Sequence, residues 1–554
     1  MPQLHALRSV RMALAVLLVA LCAASSSAQQ SKLGQVNFPT TGSEKAQSHF
    51  LRGLAALHSF WFEEALDEFR QSTAGDSDFV MGYWGEAMAY NHPLWAEQDT
   101  ESARKTIAKI KDTSKVTSRE RAYVDAVRAL YGEGDKLTRD KAYSAAMEKV
   151  YRAYPDDLEA ACFYSLSLLG TVRPGDKGFR RQTLAGKIAI DVYQKNPDHP
   201  GAAHYIIHSF DDPEHAILAL PAALRYAEIA PEAHHARHMP AHIFLQLGMW
   251  PEAAASNESA WAVSDAWVKR KGLPLSARDY HSLHWLEYVY LQQGRYAKAE
   301  ELLSMKRSDV EKLKNDAGVG RYNEEMAAAF VVETERWDLV KKLFRSGGDS
   351  EDAMAGHAMH GAPTSGRNRR SEMLPILMRG LSAAKASSPD AAQDTAKSIA
   401  ELRAIRKQLS DAGDAYAGKS ADIMELDISA ASAAAKLNYT EAIDMMKRAT
   451  AIEEEMSPPS GPPGLIKPSH ELFGEILLSA NRPKEAAQQF EKALLRQPNR
   501  ARSLLGSARA AAGAGDTKAA LEAYSKVVRQ WNQADANLPE RREAQDYLKQ
   551  AAAR

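Results

Sequence analysis

The feature that most constrains this chain is a 34-residue period near its C-terminal end. Gly474, Ala486, Phe490, Ala493 and Pro498 are answered 34 positions later by Ala508, Ala520, Tyr524, Val527 and Asn532. A unit of that length has room for two helices of about three turns each and the turns that join them. Gly474 and Ala486 let the two helices approach closely, Phe490 fills the gap beside them, and Pro498 ends the second helix. One such unit cannot bury its apolar face alone, whereas a stack of them can. No sustained two-residue alternation marks strands, so the chain is predicted to be all-α.

The same phase extends upstream. Gly53, Ala65 and Phe69 fit one unit and Gly85 begins another, while Pro155, Pro197 and Pro231 close second helices. Gly248, Trp250, Ala253 and Ala260 fit a further unit, as do Gly294, Tyr296, Ala299 and Leu303. Glu335, Trp337 and Phe344, and then Tyr439, Ala442 and Ala449, mark weaker ones. The pattern resembles the tetratricopeptide repeat over most of residues 44–554. The segments HYIIHSFDDP, HARHMPAHIFLQLGMW and SPPSGPPGLIKPSHELFGE are similar to those of an exported bacterial type with a histidine-rich groove. The resemblance implies an α-solenoid of degenerate helix-turn-helix repeats, a scaffold whose concave groove binds a protein or peptide partner.

The organisation expected from this reading starts with a signal peptide over residues 1–28. Arg8 and Arg11 precede an apolar run from Met12 to Ala24, and Ser26-Ser27-Ala28 supplies small residues for cleavage. An exported protein, periplasmic or extracellular, follows from that reading. An N-terminal helical array with the histidine-rich groove spans 44–345, a Gly-rich polar loop 346–370 and further helical repeats 371–456. A Pro-rich, extended linker over 457–468 then separates a final pair of repeats, 469–554.

Composition narrows the partners. Basic and acidic residues number 70 and 71, and loss of Arg8 and Arg11 with the leader moves the net charge from -1 to -3. That balance gives no reason to expect a nucleic-acid protein or an electrostatic membrane binder, nor is stable membrane insertion expected after cleavage. Cleavage would also remove Cys22 and leave Cys162 alone, so no internal disulfide would staple the mature chain.

Chemistry concentrates in the histidines. Ten of the 17 lie between His199 and His284. His204 and His238 are 34 residues apart, as are His208 and His242, so each pair occupies one position of consecutive repeats. Residues four apart share a helix face, which sets His204 beside His208 and His238 beside His242. In tetratricopeptide repeats the second, fifth and ninth positions line the concave groove. The resemblance therefore places His235 and His281 at the second position, His204, His238 and His284 at the fifth, and His208 and His242 at the ninth. Imidazoles converging from helices about 8–10 Å apart suit a transition metal, with carboxylates as further ligands.

The expected ligands are His204, His208, His238, His242 and His284. His235, His281, Asp211, Glu159, Glu325 and Cys162 are possible additions, and the ion is zinc, copper, iron or manganese. Recognition of an acidic peptide and buried helix–helix hydrogen bonding are the competing readings of the same stripe. His199, His215 and His234 fall off it. Met354, His357 and His360 read as part of the flexible loop, and Phe60, Trp61, Phe62, Trp84 and Trp95 as core and groove lining. Glu471 and Glu475 read as solvated or partner-binding groove carboxylates. No nucleotide-binding, zinc-protease, serine-hydrolase or haem-attachment motif is present. Catalysis stays open: a metal-dependent oxidoreductase or hydrolase held by the same histidines is the alternative to a binding scaffold.

Overall fold

The computed structural model describes residues 32–173, 175–176, 178–313, 317–320, 322–344, 366–386 and 390–553. The leader and the Met354, His357 and His360 cluster lie outside the described residues.

Near each end of the array, helix pairs are locked by an aromatic side chain pressed between glycines. Phe69, on the helix Phe62–Gly75, lies against Gly53 of the preceding helix and Gly85 of the following one. A Cβ at those glycines would come within 2.9 and 2.3 Å of its ring. Phe490 stands the same way between Gly474 and Gly506, where a Cβ would meet it at 2.6 and 2.3 Å. The same sequence spacing recurs at both ends of the chain because close helix contact there tolerates no side chain. Antiparallel helix pairs stacked in this manner make an all-α solenoid of the tetratricopeptide type. The strands among the described residues are the short pair Asn91–His92 and Glu97–Gln98.

The solenoid turns back on itself. The indole Nε1 of Trp250 donates to the Asn499 carbonyl at 2.9 Å, and that of Trp531 to the Gln292 carbonyl at 3.1 Å. The Asp535 N–H donates to the Gly294 carbonyl at 3.0 Å. Arg500, fully buried, bridges Glu333 at 2.6 Å, Glu471 at 2.8 Å and the Tyr288 hydroxyl at 2.9 Å. The last repeats are thus docked on the units between Pro240 and Thr334.

Two segments differ from their expected form. The Pro-rich stretch is packed rather than a free spacer. Gly461 lies so close to Trp285 that a Cβ would fall 2.4 Å from its ring, and the Pro459 carbonyl accepts from Gln246 Nε2 at 2.9 Å. Lys467 is buried against Glu471 at 3.0 Å and also pairs with Glu475. Glu471 is consequently a fully buried ion-pair member, not a solvated groove carboxylate. The helix Gly366–Lys385 begins inside the stretch expected as loop, whose residues 346–365 are outside the description. No described helix is long and apolar enough to cross a membrane.

Candidate metal centre

Three elements in successive repeats carry the histidine stripe. The helix Pro200–Ser209 holds His204 and His208. The next is split into His234–His238 and Pro240–Gln246 around Met239, since Pro240 has no N–H for the ladder. The helix Tyr280–Gln292 brings His281 and His284. Most of the stripe is enclosed, with His204 and His238 0% exposed, His235 7% and His242 8%, while His208 and His281 are half-buried. Phe60, from the turn after the helix Glu44–His58, covers one side, and the Pro-rich segment on Trp285 covers another.

The rings gather into two adjoining triads. His204, His208 and His235 form the first, and His238, His242 and His281 the second. In each, one ring nitrogen per residue lies within 4.8 Å of the others. The triads abut, with the His208 and His242 ring centres 5.7 Å apart. His281 rather than His284 joins the second triad. His284 lies one helical turn further on, with its ring flat against Tyr322 at 5.0 Å and its Nδ1 buried without a partner. Glu325 acts on His284 by its charge, away from both triads.

Hydrogen bonds fix the tautomers. His204 Nδ1 lies 2.7 Å from the His58 backbone carbonyl, which only accepts. Nδ1 therefore carries the proton and Nε2 a bare lone pair. Asn257 Nδ2 donates to the Ala253 carbonyl at 2.9 Å, so its Oδ1 faces His238 Nδ1 at 2.7 Å and accepts from it. Asp211 accepts from His242 Nδ1 at 2.6 Å and from Gln246 Nε2 at 3.3 Å. His238 and His242 thus turn their bare Nε2 atoms toward each other at 3.0 Å. Two lone pairs repel at that distance, and either a proton held between the two nitrogens or a metal ion relieves the repulsion. Two nitrogens on one ion at roughly 2.0–2.1 Å stand about 3.3 Å apart in a tetrahedral site.

In the first triad the tautomer is fixed at His204 alone, and burial does the rest. Nε2 of His204, His208 and His235 are all buried with no hydrogen-bond partner. Burial, followed by the neighbouring imidazoles, holds the pKa of these three and of His281 well below the ordinary value. The same causes lower His238 to about 3, and burial lowers His284 to about 4. Near neutral pH these rings are free bases, the form that binds metals.

Glu159 and Cys162 belong elsewhere. Glu159 accepts from His58 Nε2 at 2.6 Å, from His199 Nε2 at 3.2 Å and from the Asn37 N–H at 3.2 Å. Burial opposes its charge, yet His199 and His58 hold its carboxyl well below the usual range. Cys162 Sγ lies 3.8 Å from His199 Nδ1. His58, Glu159 and His199 also satisfy metal-site spacing, but their network closes on itself and pins the first helix pair to the solenoid. Sequence spacing missed His58 and Asn257, which lie off the repeat stripe on other helices. His234 pairs with Asp279 at 3.0 Å, and His215 with Asp212 at 2.9 Å.

No family model matches this sequence, and a search of curated proteins finds no match. Among solved structures, yeast Tom70 is similar at 11% identity, covering 92% of this chain and 89% of that one, with a TM-score of 0.31. A Rap protein complexed with competence and sporulation factor is 14% identical over 67% of this chain and 99% of its own, TM-score 0.33. Human IFIT1, as a dimer with m7Gppp-AAAA, is 14% identical over 89% and 91%, TM-score 0.31. These likenesses carry no argument about what this chain binds.

Proposed function

We propose that this chain is an exported helical-repeat scaffold whose enclosed inner face holds two transition-metal ions, one per histidine triad. The supporting observation is the convergence of bare imidazole nitrogens. His204, His238 and His242 are each forced into the tautomer that aims a lone pair inward, and the His204, His208 and His235 Nε2 atoms are buried with nothing to bond. Burying three unpaired polar atoms together costs several kcal/mol, which a bound ion offsets. His58 O, Asn257 and Asp211 then act as the outer acceptors that orient metal-binding histidines. A set of neutral nitrogens suits zinc, copper or iron better than the harder manganese.

A second reading, a metal-dependent enzyme, draws on the ligand number. Three protein ligands leave a coordination position open, as catalytic ions have, whereas structural zinc takes four. A protein partner of the scaffold would dock away from the stripe, because Phe60 and the Pro-rich segment occupy the inner face there.

Elemental analysis of residues 29–554, purified without a His tag or chelator, tests the reading. Two equivalents are expected, falling to one in His208→Ala and to one in His242→Ala. No metal after reconstitution with zinc, copper or iron would overturn it.

A further inference from the structure

Phe60 is held in a backbone conformation that its side chain disfavours. Its φ is +52°, in the left-handed region. The turn is the one that closes first helices elsewhere in the array. The Phe60 N–H donates to the Leu57 carbonyl at 3.0 Å and the Trp61 N–H to the Ala56 carbonyl at 3.0 Å. Gly248, Gly294 and Gly515 occupy the same position in identically bonded turns, with φ of +66°, +68° and +78°, and Leu437 and Asn481 do so at +61° and +59°. Glycine sits there without strain. Unlike Leu437, which holds the same position with its side chain in solvent, Phe60 carries that strain with its ring buried against other side chains.

That place is over the first triad. The Phe60 ring stacks on His208 at 5.8 Å and on His235 at 5.6 Å, and meets His204 edge-on at 4.3 Å. Phe60 also forms a wall of an apolar cavity of about 20 Å³, bounded further by Leu57, Met88, Phe163 and Leu166. That space holds one small molecule. The polar groups around it are mostly committed. Asn91 Oδ1 accepts from Gln98 and Lys136, Asp140 pairs with Lys136 and Arg173, and the Ser167 hydroxyl donates to the Tyr164 carbonyl. Tyr143 is the exception, its hydroxyl buried with no partner. A water requires two to four partners, and one free hydroxyl does not supply them. An apolar molecule that accepts at most one hydrogen bond fits.

We propose that this cavity is a binding site for a neutral diatomic molecule of the dioxygen class, and that Phe60 is the gate between it and the first histidine triad. The gating role rests on the metal reading above; occupancy of the cavity does not. Xenon, an apolar probe of similar size, is expected in the cavity when crystals of the metal-free protein are pressurised. Its exchange, followed by xenon NMR, is expected to be at least tenfold faster in Phe60→Gly. In copper(I)-loaded protein, carbon monoxide should associate at least tenfold faster in Phe60→Gly, and more slowly in Leu166→Trp at unchanged copper content. A cavity that takes no xenon overturns the site. Unchanged xenon exchange in Phe60→Gly, or carbon monoxide rates unmoved in both variants, overturns the gate. A chain that loads no copper sinks the metal reading alone, and the two xenon measurements still decide this inference.

Discussion

Asn257 Oδ1 lies 2.7 Å from His238 Nδ1, and the amide has no freedom to turn, because its Nδ2 is committed to the Ala253 carbonyl at 2.9 Å. A fully buried amide on a second helix thereby decides which nitrogen of a first-helix histidine is left bare. Replacing Asn257 by Leu keeps the volume near and removes the acceptor. His238 is then free to place its proton on Nε2, so metal affinity should fall by about 10–100-fold while the second triad's histidines all remain. Chelator competition on the isolated variant measures this, and an affinity equal to wild type would mean that the ring needs no such orienting.

The depressed histidines set the pH response. For His238 the pKa falls from 6.5 in the unfolded chain to about 3 in the fold, and for His284 to about 4. The unfolded chain therefore binds more protons between those limits, and stability rises with pH there. The contribution is complete above pH 6.5 and is lost progressively as the pH drops toward 4, at up to about 1.4 kcal/mol per unit for each such group. Urea midpoints of the metal-free protein should fall steeply from pH 6.5 to 5, and His238→Gln should flatten that slope. Equal slopes in the two proteins would contradict the assignment.

The repeat array was legible because tight helix contact demands glycine opposite an aromatic, and Gly53, Phe69, Gly474 and Phe490 keep that spacing in the chain itself. The stripe was legible for the same reason: a 34-residue separation puts His204 and His238, and His208 and His242, on equivalent faces. What lies between repeats was not. His281 and His284 are one turn apart on one helix, and Tyr322 touches both, its hydroxyl 3.1 Å from His281 Nδ1 and its ring flat on His284. It is the 4.6 Å approach of His281 to His238 that separates their roles. Phe60 and His58 reach the stripe from about 150 residues earlier, a contact set by the curvature of the whole solenoid. The Pro-rich stretch has the composition of a spacer, and it is the facing Trp285, Gln246, Glu471 and Glu475 that turn it into a packed element.

Glu287 is fully buried with no partner for either carboxylate oxygen. Burial, with the charge of Glu333 adding to it, pushes its pKa well above the ordinary value. The fold therefore keeps a proton that the unfolded chain releases near pH 4.5, and the resulting penalty grows as the pH rises. Glu287→Gln carries no such proton. The variant should gain stability relative to wild type between pH 5 and pH 8 by at least about 1 kcal/mol. Thermal unfolding at the two pH values reads it directly, and a difference that does not change with pH would place a counter-charge beside Glu287.

Arg500 joins the last repeats to the middle of the array through a buried charge network, beside the apolar contact that Trp531, Ala534 and Leu538 make at Gly294. Removing it strands Glu333 and leaves Glu471 with Lys467 as its one cation, both carboxylates being almost without exposure. Arg500→Ala should therefore cost about 3–5 kcal/mol, more than an exposed pair such as Lys105 with Glu101 at 0–1 kcal/mol. The loss should be local first: with the bridge gone, the segment 457–468 lifts from Trp285 and becomes the preferred site of limited proteolysis. Because that segment backs Trp285, whose ring lies 5.0 Å from His238 and 4.2 Å from His242, Arg500→Ala should release metal from His238, His242 and His281 faster than from His204, His208 and His235. Release of both ions at one rate would show that the docked repeats do not shield the second triad.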